Sequence, residues 1–148
     1  MKHIILTIVL AAFSLSAFAQ FPLGTTKEKI VAYFGEHIRY ASAQEFKTED
    51  GIPAICFTKV RVVGDYTFYF DKYDTCTSYT ITYDKKELND LIASFDKQFC
   101  REEMTKWTAH NNKVVVTLLP LTKGANFFSI VYKLVAPSAY DDHTLASN

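Results

Sequence analysis

Residues 65 to 84, DYTFYFDKYDTCTSYTITYD, hold five tyrosines and two phenylalanines in twenty positions, set in two short runs where large side chains alternate with small or polar ones. Alternation of period two belongs to a strand with one buried face, and two such runs joined by a polar link make a hairpin. With Asp71 opposite Cys76 and Lys72 to Thr75 as the loop, Tyr66, Phe68 and Phe70 share a face with Thr77, Tyr79 and Ile81. A slip of one residue would mix the aromatics with Ser78 and Thr80 on both faces, so burial favours the first register. The other face then carries Thr67, Tyr69, Asp71, Cys76, Ser78 and Thr80, which leaves Tyr69 and Tyr73 as exposed aromatics.

The flanking sequence supplies helices and more strands. Thr25-Thr26-Lys27-Glu28 has the form of a capping box, Ile30, Val31 and Phe34 follow at helical spacing, and Gly35 can end the helix in the left-handed conformation. Residues 38 to 46 read as extended or irregular, 47 to 53 as a polar loop, and 54 to 63 as a strand that turns at Gly64 into the aromatic hairpin. Asp84 and Glu87 repeat the capping pattern, and Leu88, Leu91, Ile92, Phe95 and Phe99 predict a helix over about residues 85 to 100. Residues 106–110 and 113–119 form a second hairpin through Asn111-Asn112, with Trp107 and Ala109 facing Val116 and Val114. A last strand over 126–135 puts Phe128, Ile130, Tyr132 and Leu134 on one side. The order predicts an α+β fold: an antiparallel sheet of about five to six strands with two helices packed on one face. Two capped helices, each followed by a meander, also hint at an internal duplication.

The first nineteen residues read as a signal peptide. Lys2 forms a short basic region, Ile4 to Ala12 an apolar core, and Ala17-Phe18-Ala19 a cleavage site before Gln20. The rest divides into one domain, residues 20–136, and a polar, aperiodic tail, residues 137–148. Without Lys2 the sixteen basic residues become fifteen against sixteen acidic ones, with no basic stripe for nucleic acid or anionic lipid. No later apolar stretch is long enough to span a bilayer.

Side chains with chemical potential are few. Of Cys56, Cys76 and Cys100, at most two can join in a disulfide; helix and strand rises bring Cys100 back to the level of Cys76. By register Cys56 faces the helices and Cys76 the far side. Cys56 with Cys100 is therefore the better pair and Cys76 the leftover free thiol, while three reduced thiols stand as the alternative. His37, His110 and His143 share no helical face and no cysteine at ligand spacing, so no metal is expected. The acidic pairs Glu49-Asp50, Glu102-Glu103 and Asp141-Asp142 fall in a loop, a helix end and the tail, where solvation explains them. No nucleophile elbow, phosphate loop or zinc-protease motif occurs, and five glycines leave little for cofactor loops, so no cofactor is expected. Trp107 is read as core rather than as an interface anchor, which leaves Tyr40, Tyr69 and Tyr73 as exposed aromatics for binding.

The segment Gly24-Thr25-Thr26-Lys27-Glu28-Lys29-Ile30-Val31-Ala32-Tyr33-Phe34-Gly35 resembles the G-x-[ST]-x-x-x-[VI]-x-x-x-[LF]-G opening of small domains in the SmpA/OmlA outer-membrane assembly family and in beta-lactamase inhibitor-like proteins. The resemblance covers twelve residues and implies an exported, non-enzymatic helix-plus-sheet module that binds other proteins. This chain departs from the assembly family in having Gln20, not a lipid-anchored cysteine, after the cleavage site.

Sequence therefore leads to a periplasmic or secreted binding or accessory domain, its partner another exported or envelope protein. The alternative is a small hydrolase or small-ligand domain with an aromatic-lined pocket between helix and sheet.

Overall fold

In the computed structural model, residues 22–37, 42–58, 64–109, 113–120 and 124–135 are described. The expected signal peptide, Tyr40, the expected turn at Asn111-Asn112 and the expected tail with His143 lie outside them. Helix α1 (Lys27–His37) precedes strands β1 (Ser42–Lys47), β2 (Pro53–Thr58), β3 (Tyr66–Phe70) and β4 (Cys76–Asp84). A single 3-10 turn (Lys85–Glu87) opens into α2 (Leu88–Gln98), followed by β5 (Cys100–Glu103), β6 (Lys106–Ala109), β7 (Val114–Leu118) and β8 (Phe127–Leu134).

All eight strands form one antiparallel sheet in the order β1-β2-β3-β4-β8-β7-β6-β5. This corrects the expected five to six strands under two packed helices: among the described residues the fold is mostly β, with two helices of eleven residues each. The shortfall lies at the sheet's edges: β1 was read only as extended or irregular chain, and β5 was not read as a strand. Residues 43–47 of β1 and all of β5 are exposed, so neither strand has a buried face to impose alternation.

The order is that of two similar halves set back to back. Each half is a helix followed by a four-strand meander, and the last strands of the two, β4 and β8, pair at the centre. One inner row crosses every strand: Glu45, Ile55, Phe68, Tyr79, Tyr132, Val116, Trp107 and Arg101. Over this face Phe34 of α1 stacks on Phe57 at 4.4 Å and meets Phe68 edge-on at 5.2 Å. Phe95 of α2 meets Trp107 at 5.4 Å and Tyr132 at 6.3 Å. Ile30, Phe57 and Trp107 are wholly buried. At the seam the rings of Tyr79 and Tyr132 stack at 4.6 Å, nearly parallel. Each of these aromatics buries a large apolar area, so the inner face accounts for most of the hydrophobic stabilisation.

The aromatic hairpin follows the expected register for Tyr66 opposite Ile81 and Phe68 opposite Tyr79, then departs from it. A bulge after Tyr69 sets Phe70 against Cys76 and leaves Thr77 unpaired. The extra residue turns Cys76 into the core, where it is fully buried, and not onto the far face. Cys56 also reverses: it pairs with Gln44 and Thr67 on the face away from the helices.

The same corner shifts the start of α1. Thr25 accepts from the Cys76 amide at 2.9 Å, Thr26 bridges Thr75, and Lys27 N donates to Asp74 at 2.9 Å. Residues expected to cap the helix through their side chains instead make backbone bonds and an isolated β-bridge beside the β3–β4 turn, and Gly24, at φ 76°, lets the chain enter this pairing. Gly35 does not end the helix, which runs on to His37. Asp84 caps as expected, accepting from Lys86 N at 3.0 Å, but the turn it caps is 3-10 and the helix proper ends before Cys100.

Candidate functional site

With the rings of both helices on the inner face, the opposite face of the sheet is the surface available to a partner. A second row crosses all eight strands there: Phe46, Ala54, Tyr69, Ser78, Lys133, Val115, Thr108 and Cys100. The adjacent row holds Gln44, Cys56, Thr67, Thr80, Val131, Thr117 and Lys106. Hydroxyls and small aliphatics dominate both, and Thr82 Oγ1 meets Ser129 Oγ at 3.4 Å between β4 and β8. A sheet face of this kind is half wet and half apolar, and it can take either solvent or a flat protein surface.

Tyr69 sits half-buried in the first row between Ala54 and Ser78, at the bulge. Tyr73 stands on the following turn and is 73% exposed. Asp71 fixes that turn: its carboxylate accepts from Tyr73 N at 2.8 Å and Thr75 N at 2.9 Å, and Asp74 takes a positive φ of 57°. Lys72 Nζ lies 4.9 Å from the Tyr73 ring centre. The structure thus carries Tyr69 and Tyr73 on one hairpin end, a strand residue and a turn residue. Tyr40 falls outside the described residues. The sequence reading missed the companions of Tyr69 across the sheet, Phe46, Val115 and Lys133; Val115 and Lys133 could be found as immediate neighbours of inner hydrophobics, whereas Phe46, between Glu45 and Lys47, carries no such signal.

The three cysteines do not cluster and all three are free. Cys56 lies on β2 and Cys100 on β5, with β3, β4, β8, β7 and β6 between them. Six strand spacings amount to about 29 Å along the sheet, far beyond the roughly 7 Å that a disulfide allows between Cα atoms. Cys76 Sγ donates to the Ser78 carbonyl at 3.4 Å, and burial pushes its thiol up to about 12. Such a thiol is a poor nucleophile at neutral pH.

The inner face carries the other perturbed groups. Burial raises the phenols of Tyr66, Tyr79, Tyr83 and Tyr132, and the proximity of neighbouring phenols adds to the rise. These phenols stay protonated and serve packing and hydrogen bonding, not base catalysis. Among the described residues no three of His, Cys, Asp and Glu converge on a metal position, and no helix is long and apolar enough to cross a membrane. A groove of about 330 Å³ lies not between helix and sheet centre but at the β1 end, lined by Lys27, Glu45, Phe46, Lys47, Pro53, Ala54 and Phe70. Comparisons with protein-family models, curated proteins and solved structures return no match.

Proposed function

We propose that this chain is a non-enzymatic binding or accessory domain of the periplasm or cell envelope, and that it takes a partner protein on the outer face of its sheet. The observation that carries this reading is the division of the sheet: the helices' rings fill the inner face, while the Tyr69 row continues across eight strands on the other. Filled aromatic packing beneath both helices supports this reading over a ligand pocket in that position. The resemblance of residues 24 to 35 to small exported protein-binding modules agrees with it.

Immobilised mature chain, starting at Gln20, is expected to retain a specific protein from an envelope extract. Tyr69→Ala and Val115→Lys are expected to abolish that retention without lowering the melting temperature appreciably. Retention by both variants equal to that of the unchanged chain removes the outer face from the proposal.

A further inference from the structure

The two edges of the sheet are built differently. At β5 a bulge between Arg101 and Glu103 breaks the pairing, and Lys106 binds Glu102 at 2.9 Å, which gives an irregular, charged border. At β1 all six residues pair with β2 in regular register. Among the described residues no strand lies beyond it. Its side chains from Ala43 to Lys47 are exposed, and Phe46 is 39% exposed on the outer face. A long, regular edge with an apolar side chain is a template for another strand.

We propose that this edge receives β1 of a second copy of the chain, antiparallel, about a two-fold axis through Phe46. The choice of occupant and register comes from Glu45, Phe46 and Lys47. When the axis is normal to the sheet, both copies keep their helices on the same side, so opposed residues must share a face and the axis must pass through a residue. An axis through Glu45 would set two Glu45 carboxylates against each other, and one through Gln44 would oppose Ala43 to Glu45 and Ser42 to Phe46. The axis through Phe46 opposes Glu45 of each copy to Lys47 of the other, twice, on the inner side. It also lays Phe46 on Phe46 on the outer side and brings Gln44 against Thr48. In this register alone, of the three, every charge meets its opposite and the exposed aromatic is covered.

Glu45 already bonds Lys27 Nζ through one carboxylate oxygen, and its side chain remains 61% exposed, so it can accept from a second cation. The pairing ends naturally at Thr48, whose amide and carbonyl turn inward to Ile52 and Gly51. An edge of five residues buries less than the roughly 1,200 Å² of a standard stable complex, so the association is weak and reversible. It would join two eight-stranded sheets into one and place two copies of the Tyr69 row side by side.

Sedimentation equilibrium of the mature chain tests this, with circular dichroism to verify folding. The unchanged chain is expected to show a dimer fraction that rises with concentration. Lys47→Glu alone, or Glu45→Lys alone, places like charges opposite each other twice and is expected to weaken self-association by about tenfold or more. A one-to-one mixture of these two variants is expected to associate again, because each copy's position 45 then faces an opposite charge at position 47 of the other. If Glu45→Lys disturbs the fold by losing Lys27, Glu45→Lys with Lys27→Glu restores that ion pair in reverse and gives the same contrast: loss alone, then recovery when mixed with Lys47→Glu. A chain that stays monomeric at all concentrations overturns the proposal. A dimer indifferent to Lys47→Glu, or a mixture that fails to associate, does so as well.

Discussion

The two halves of this molecule share a plan and differ in how they close. In each, a helix drops a phenylalanine onto its own meander: Phe34 onto Phe57 in the first half, Phe95 against Trp107 in the second. In each, one ion pair ties the helix to the outermost strand, Lys27 to Glu45 and Asp96 to Arg101. The second half adds more at this place. Trp107 Nε1 donates to Asp96 at 2.7 Å, and the Arg101 guanidinium lies 5.2 Å from the Trp107 ring, so indole, carboxylate and guanidinium lock β5 to β6 and α2. The first half has a stack of hydrocarbon rings instead, and among the described residues its edge strand is held by β2 and the surface pair of Lys27 with Glu45. Whether an edge is open or closed is therefore settled by a few side chains and one bulge, not by topology.

That comparison can be broken most completely at the seam. Tyr79, Tyr83 and Tyr132 lie where the halves join, with Tyr66 beside them, and burial raises all four phenols. The unfolded chain ionises its tyrosines near pH 10 while the folded chain holds these protonated, so their contribution is complete below about pH 10 and is lost as pH rises towards the folded values. The Cys76 thiol, with a folded value of about 12, acts in the same direction. Unfolding free energies from denaturant titrations, measured against pH, are expected to fall steeply above about pH 10, by up to about 1.4 kcal/mol per pH unit for each phenol. Both halves should unfold together; separate transitions would show that the seam does not couple them.

Trp107→Ala tests the second half by itself. It empties a site that is wholly buried and removes the partner of Asp96 and Arg101. The expected cost is about 3–5 kcal/mol in chemical denaturation. A loss below about 2 kcal/mol would show that the second half is not locked through its indole.

The smallest effect sharpens the contrast without altering stability. Native-state thiol labelling is expected to modify Cys100, exposed on the second half's edge, first and half-buried Cys56 more slowly. Cys76 should react only after unfolding. Rapid modification of Cys76 in the native chain, read by mass spectrometry of peptides, would contradict the bulge that turns it inward.

What the sequence made legible was set by burial. Tyr66 opposite Ile81, Phe68 opposite Tyr79, and Trp107 opposite Val116 are all pairs of inner-face residues, where a slipped register would expose large rings. Ser42–Lys47 was legible only as extended or irregular chain and Cys100–Glu103 not at all, because a strand exposed on both faces carries no period. Nor was the pairing of β4 with β8, since an alternating strand states which face is buried and not which neighbour it has. The bulge after Tyr69 escaped for a related reason: Thr77 can be accommodated in or out of the ladder at little cost in burial, and the Thr25 and Cys76 backbone pairing that accompanies the bulge is invisible to local pattern. Tyr69 was placed on the outer face correctly, but its row became visible only when all eight strands were ordered.

The pairing of β4 with β8 also governs how the chain reaches this structure. Every other ladder joins strands adjacent in sequence, whereas here Ser78 waits for Lys133 and Asp84 for Phe127. Contacts so distant along the chain form late in folding, because a long loop must close before any of them is made. Until then the first meander has two open borders, and β4, the more aromatic of them, is the one that the folded molecule conceals. A chain cut short of β8 would keep that border open for its whole lifetime.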